Sequence, residues 1–354
     1  MKRTRSALRG LVCLLGVVLG PYGLGGCSSN DGASPPGAAP DAGAPAADVC
    51  VPVAAASETF RVQNDLGVLE GTLDVPEGCG GMPVVIILSG SGSTDRDGNA
   101  PDQTTDKPDI YRVLARSIVA AGFAALRYDD PGYAKSAHAV PRNVEDFRYE
   151  MEIHAAALFV AKLRTDERFG AVVAAGHSQG SLSGIMVAAE QPIDGLISLA
   201  GAGRPVGALI HEQMAPKLSA TQLATLDAAI AKLEGGEVAG PLAAPLDKIL
   251  PVEVQPYMIS WMKLDPKKEI TKLRGPALLL QGRMDIQVQE TDARLLGEGK
   301  PDAKTVLIDD MGHMLRKVTA KDSGAQQASY TEPLPLHPAV VAAIADFLGG
   351  LPKK

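Results

Sequence analysis

Aromatic residues are scarce in this chain, at 4% with a single tryptophan, so aliphatic side chains and alanine must fill its core. A basic excess is missing: 34 Lys and Arg stand against 41 Asp and Glu, a formal net charge of −7. That sign argues against nucleic acid and anionic phospholipid surfaces as partners. Cysteine is rare, with four in 354 residues, and no Cys/His cluster with metal-ligand spacing accompanies any of them. The longest apolar run, residues 11–19, is too short and too glycine-interrupted to span a membrane. No internal repeat is present. What remains is an ordinary globular balance, 45% hydrophobic and 21% charged, at a length that suits one large α/β domain with insertions.

The first 26 residues read as a leader rather than as part of the fold. Lys2, Arg3, Arg5 and Arg9 form a positive region, followed by the apolar run. Leu24-Gly25-Gly26-Cys27 then resembles the bacterial lipobox, which implies lipid on Cys27 and anchoring to a membrane through that lipid alone. The bland alternative is an ordinary signal peptide with Cys27 a bystander. Ser28 rather than Asp after the cysteine implies the outer membrane. Without the leader, 30 basic residues face 41 acidic ones, a net of about −11. Residues 27–57 are rich in Ala, Gly and Pro and are expected to be a flexible tether. Cys50 and Cys79 remain in an oxidising compartment and read as one disulfide, with two free thiols as the alternative.

Residues 58–354 are expected to form the folded α/β domain. Runs at 59–63 and 66–75 alternate like an antiparallel opening pair. Continuous apolar runs at 84–88, 124–128, 172–175, 196–200, 277–281 and 305–308 suit buried parallel strands. Helical stretches at 110–121, 144–164, 181–190, 290–296 and 338–348 separate them. The alternation predicts an α/β fold: a mainly parallel eight-stranded sheet with helices on both faces. A mostly helical insert at about 204–272, after the sixth strand, reads as a cap over the pocket or as plain decoration.

Gly176-His177-Ser178-Gln179-Gly180 follows an apolar strand and opens a helix. In that context Gly-x-Ser-x-Gly marks a nucleophile elbow, where Ser178 sits on a strained turn and only glycine leaves room at 176 and 180. A serine hydroxyl needs a base, itself oriented by a carboxylate, and on such a sheet they follow in the order serine, acid, histidine. Asp285 lies just past the seventh strand and His313 just past the eighth, so both can reach one crevice. His138, His154, His177 and His211 come too early for that order. His337 reads as structural at the last helix's start, Asp292 falls within a helix, and Asp309 and Asp310 crowd His313. Oxyanion donors are expected from the Gln179 backbone N–H and the loop Ser89-Gly90-Ser91-Gly92, at the Ser91 N–H. That loop lacks the third glycine of a dinucleotide cradle and the Gly-Lys-Ser/Thr ending of a phosphate loop. Asp95-Arg96-Asp97-Gly98-Asn99 opens like a calcium loop, but Ala100 stands where glycine is needed, so a hydrogen-bonded rim loop is the better reading.

The segments Leu88 to Asn99, Arg127-Tyr128-Asp129 and Gly176 to Gly180 together resemble a bacterial carboxylesterase branch of the α/β-hydrolase superfamily, close to the serine-aminopeptidase-like hydrolases. The resemblance covers about residues 58–350. It implies a hydrolase without metal or cofactor, acting on a small-molecule ester through Ser178, Asp285 and His313. After Asp129 the chain departs from the family's x-Arg-Gly-x-Gly-x-Ser, reading Asp130-Pro131-Gly132-Tyr133-Ala134-Lys135-Ser136. Aminopeptidase, thioesterase or lipase chemistry on the same machinery is an alternative, as is a catalytically silent surface-binding lipoprotein.

Overall fold

The computed structural model describes residues 55–351 except 79, 101, 102 and 104–106. The leader, Cys27, most of the expected tether, and Cys50 and Cys79 lie outside the described residues.

Eight strands form one sheet: β1 (Ala55–Gln63), β2 (Val68–Pro76), β3 (Met82–Leu88), β4 (Ala124–Tyr128), β5 (Phe169–His177), β6 (Gly195–Leu199), β7 (Ala277–Gly282) and β8 (Lys304–Ile308). Their order is β1-β2-β4-β3-β5-β6-β7-β8. β1 and β2 pair antiparallel, as do β2 and β4, and every later pairing is parallel. This is the α/β-hydrolase fold. Side chains alternate across the central strands: Val84, Ile86 and Leu88 enter one apolar layer, Val85 and Ile87 the other. Helices α1 (Ile110–Ala120) and α11 (Pro338–Gly349) cover the second layer. Helices α2 (Tyr149–Arg164) and α3 (Gln179–Glu190) cover the first.

The structure corrects two boundaries and adds a helix. β1 begins at Ala55, so Ala55, Ala56 and Ser57 belong to the sheet and not to the tether. These residues lie exposed on an edge strand and are held by backbone pairing, which leaves no hydrophobic alternation to read. The helix expected over 144–164 is split: a 3₁₀ turn at Val144–Asp146 precedes α2, with Phe147 and Arg148 extended between them. Phe147 turns inward there and stacks on Tyr257 with ring centroids 5.7 Å apart. Finally, helix α10 (Ser323–Thr331) was not expected. It is polar, with Asp322 capping its start by accepting the Ala325 N–H at 2.8 Å.

The insert between β6 and β7 carries α4 (Val206–Met214), α5 (Ala220–Glu234), α6 (Leu246–Ile249), α7 (Gln255–Met262) and α8 (Pro266–Glu269). α7 lies on the start of α2, where the Tyr149 N–H donates to Ser260 Oγ at 2.9 Å and the Tyr149 and Trp261 rings stack at 5.5 Å. A chain so poor in aromatics thus gathers Phe147, Tyr149, Tyr257 and its one tryptophan at this junction. Helix α9 (Glu290–Gly299) follows β7.

Arg316, 1% exposed, ties the segment after β8 to two distant stretches. Its guanidinium donates to the carbonyls of Ser329, Glu332 and Pro108. Burial pushes its pKa down to about 10, which leaves it cationic at neutral pH. Replacing it with methionine would strand the Ser329 and Pro108 carbonyl oxygens, each costing about 1–3 kcal/mol when left unpaired, whereas the Glu332 carbonyl still accepts the Leu334 N–H. Arg316→Met should therefore lower the unfolding free energy in urea titrations by about 2 kcal/mol or more, and a loss below measurement error would count against the clamp.

Candidate active site

The elbow between β5 and α3 is shaped by contact between backbones. A β-carbon on Gly176 would lie 2.0 Å from the Gly180 carbonyl oxygen, and one on Gly180 would lie 2.4 Å from that of Leu88. Neither approach is possible for a larger residue. This crowding holds Ser178 at φ 55° and ψ −119°, a conformation that costs a non-glycine residue about 1–3 kcal/mol. The Ser178 N–H donates to Leu199 O at 2.9 Å, fixing the turn to β6. Its side chain stands at the carboxyl end of β5, where a β-carbon on Gly90 would sit 3.3 Å from Ser178 Cβ.

Asp285 and His313 come from loops after β7 and β8 and meet in the interior. The His313 Nδ1–H donates to Asp285 Oδ2 at 2.9 Å. Asp285 Oδ2 also accepts from Gln281 Nε2 at 3.1 Å, while Oδ1 accepts the N–H groups of Gln287 and Val288 at 2.7 and 3.0 Å. Burial by itself would raise this carboxyl's pKa. The His313 charge, its hydrogen bond and the two loop N–H groups outweigh burial and hold the group below the usual carboxylate range. An ionised Asp285 fixes the proton on His313 Nδ1 and leaves Nε2 as the basic nitrogen. Among the described residues no hydrogen bond joins Ser178 Oγ to His313.

What connects them is His177, which the sequence order had set aside. Its Nε2–H donates to the His313 carbonyl at 2.9 Å, and the two rings lie 4.9 Å apart. Its Nδ1 faces Tyr111 Oη at 3.3 Å, and that hydroxyl accepts the Gly90 N–H at 2.6 Å. One chain of contacts therefore runs from the loop after β3, through α1 and the elbow, to the loop after β8. Burial, then the His313 charge, lowers the His177 pKa to about 3, so His177 is neutral and cannot serve as a base at ordinary pH.

The Gly90 N–H is committed to Tyr111, which leaves Ser91 as the next donor along that loop. Among the described residues neither the Ser91 nor the Gln179 N–H donates to a protein acceptor. Gln179 opens α3, where the helix dipole favours negative charge. The loop carrying Ser91 is pinned at its base. The Ser89 hydroxyl donates to Asp130 Oδ1 at 2.6 Å, and the Thr94 N–H to Oδ2 at 2.7 Å. Arg96 grips Asp129 through Nε and Nη2 at 3.0 and 2.6 Å, and Glu70 at 2.9 Å. In the stretch that opens like a calcium loop, Asp95 Oδ1 accepts the Asp97 and Asn99 N–H groups at 2.9 and 3.0 Å, and Asp97 pairs with Arg127. These carboxylates brace the rim.

The rival histidines and acids are engaged elsewhere. His337 hydrogen-bonds Asp310 at 2.9 Å and caps α11 through the Ala339 N–H. Asp292 is held by Arg204 at 2.7 Å, and Asp309 by Arg283 at 2.8 Å. His154 and His211 pair with Glu190 and Asp227 on the surface. His177, Tyr111 and Gln281 are the supporting groups that reading the sequence did not find. Only His177 had a signal, its place inside the elbow motif.

Comparison with known proteins bears on the family and the fold. A profile of the α/β hydrolase family matches residues 85–317. Esterase EstD of Thermotoga maritima is 26% identical over 266 residues, which are 73% of this chain and 61% of that protein. The chain thus spans about three-fifths of that relative's length. Among solved structures, Est1E from Butyrivibrio proteoclasticus superposes with a TM-score of 0.51 at 17% identity, over 82% of this chain and 97% of that one. The Pyrococcus furiosus esterase Pf2001 gives 0.51 at 15% identity, over 84% and 93%. At those identities the structural likeness speaks to the fold.

Two outcomes test the local physics. Gly176→Ala should prevent accumulation of folded protein, since its methyl group would meet the Gly180 backbone; a soluble variant with wild-type melting would refute the contact. For His177 the folded pKa is depressed to about 3 against 6.5 for a free imidazole. Between those values the unfolded chain binds the extra proton, so acidification destabilises the fold through this residue. In melts from pH 7 down to pH 4, wild type should therefore lose stability relative to His177→Asn.

Proposed function

The chain belongs to the α/β hydrolase family, and on that premise we propose that it is a serine carboxylesterase working through an acyl-enzyme intermediate. One observation carries the reading: a buried Asp285–His313 hydrogen bond at 2.9 Å, bound through His177 to the strained turn that presents Ser178. Similarity to Esterase EstD supports an ester as the substrate.

In this reading His313 Nε2 removes the Ser178 hydroxyl proton as Oγ attacks the ester carbonyl. The Ser91 and Gln179 N–H groups stabilise the tetrahedral oxyanion, and Asp285 stabilises the imidazolium. Collapse of the intermediate expels the alkoxide, which takes the proton from His313 and leaves as the alcohol. Water then enters, gives a proton to His313 and attacks the acyl group. A second tetrahedral intermediate releases the carboxylic acid and returns the proton to Ser178. No step calls on a cofactor. The helical insert is assigned to cover the acyl and alcohol pockets, because α7 reaches Gln179 through Tyr257 at 2.8 Å. Export and lipid attachment at Cys27 complete the proposal, supported by the positive, apolar and lipobox order of the first 27 residues.

Three measurements decide it. Ser178→Ala should lower turnover of short-chain aryl esters by about 10⁴-fold or more and abolish labelling by a fluorophosphonate. Asp285→Asn should keep the fold and cost about 10³–10⁴-fold, because the imidazole tautomer is no longer held. Assays of aryl esters beside aminoacyl anilides should favour the ester; equal or faster anilide cleavage would point to a peptidase on the same machinery.

A further inference from the structure

Glu152 has no role in the reaction as described, yet it is tied to the elbow. It lies in the first turn of α2, and its Oε2 accepts from Gln179 Nε2 at 2.9 Å and from the Tyr257 hydroxyl at 3.0 Å. Gln179 Nε2 also donates to Tyr257 Oη at 2.8 Å, so the three groups close a triangle. Its corners come from three separate places: α2, the residue after the nucleophile, and α7 of the insert. The Gln179 and Tyr257 corners are buried, at 7% and 3% exposure, and Tyr257 is wedged between Phe147, Tyr149 and Trp261. Among the described residues no Lys, Arg or His forms an ion pair with Glu152. Burial first, then the nearby Asp130 charge, pushes the carboxyl up to about 8. At neutral pH it is therefore a neutral acceptor and adds no negative charge beside a developing oxyanion.

We propose that Glu152 and Tyr257 are positioning residues of the oxyanion site, acting through the Gln179 side chain to aim the Gln179 backbone N–H. The inference rests on the reading that this N–H stabilises the oxyanion. The physical reason lies in the peptide between Ser178 and Gln179. Its orientation depends on the strained ψ of −119° at Ser178, which the glycine crowding and the Ser181 N–H, donating to the Ser178 carbonyl at 3.0 Å, hold from the elbow side. Gripping the far end of the Gln179 side chain from two sides restrains the same peptide from its other end. A donor held in advance stabilises the transition state without reorganising, whereas a misplacement of about 1 Å can cost about 10²-fold.

The test compares Glu152→Leu, Glu152→Gln and Tyr257→Phe with wild type on one aryl ester, each normalised by fluorophosphonate titration of active sites. A trifluoromethyl ketone, which adds Ser178 to give a bound oxyanion, is the second readout. The Leu variant should lose about 10- to 100-fold in kcat with KM unchanged, and the ketone's Ki should rise by the same factor. Glu152→Gln, which keeps the acceptor, should regain most of that loss. Tyr257→Phe should fall between, and it carries the test if Glu152→Leu does not fold. Unchanged kcat and Ki per titrated site would overturn the proposal, as would a rise confined to KM, which would place Glu152 against the substrate. Failure of the serine mechanism itself would show separately, as a wild-type protein that fluorophosphonate does not label.

Discussion

Close passage of one backbone over another at the end of β5 sets the terms for the rest of this structure. Gly176 lies against the Gly180 carbonyl, and Gly180 lies against Leu88 and Ser89. The central strands can be adjacent, and the elbow tight, only because two positions carry no side chain. Ser178 is forced into a backbone conformation it would not choose, and the cost is met by the packing of a parallel sheet buried on both faces. Strain at one residue is here a consequence of the sheet's architecture. It puts a hydroxyl where neither strand nor helix could hold it.

Around that turn the acids divide according to their neighbours. Asp285 receives four hydrogen bonds, one from an imidazole, and stays ionised. Asp130 accepts only neutral donors, and burial pushes it up to about 7. Glu152, tied to an amide and a phenol, is pushed up to about 8. The same functional group thus provides a fixed negative charge at one corner, a half-ionised acceptor at Asp130 and a mostly neutral one at Glu152. Only the first is suited to stabilising an imidazolium. The other two hold loops and side chains in place.

Much of this could be read before any coordinates. The central parallel strands were legible because a sheet buried on both faces demands uninterrupted apolar runs such as 84–88 and 172–175, and the opening antiparallel pair because its residues alternate. Elements that lack such runs were missed or misplaced. Ala55 to Ser57 pair by backbone alone, α10 is a polar helix known only by its Asp322 cap, and the break at Phe147 reflects one ring turning inward onto Tyr257. The same division holds at the site. Ser178, Asp285 and His313 follow from the position of loops at strand ends. His177, Tyr111, Glu152 and Tyr257 act through contacts between elements far apart in the chain, and of these only His177, inside the elbow motif, carries a local mark.

Periodicity predicted a parallel sheet flanked by helices, the Gly-x-Ser-x-Gly motif a glycine-framed serine turn, and the order usual on such a sheet an acid and a histidine after it. Those are local properties, since burial on two faces and the steric needs of a tight turn are written into short stretches of chain. Tertiary structure decided that the His177 imidazole is neutral, which carboxyl is charged, and what grips Gln179. Ionisation and orientation depend on the neighbours that folding brings within hydrogen-bonding distance, and along the chain those neighbours stand far apart, 136 positions for His177 and His313.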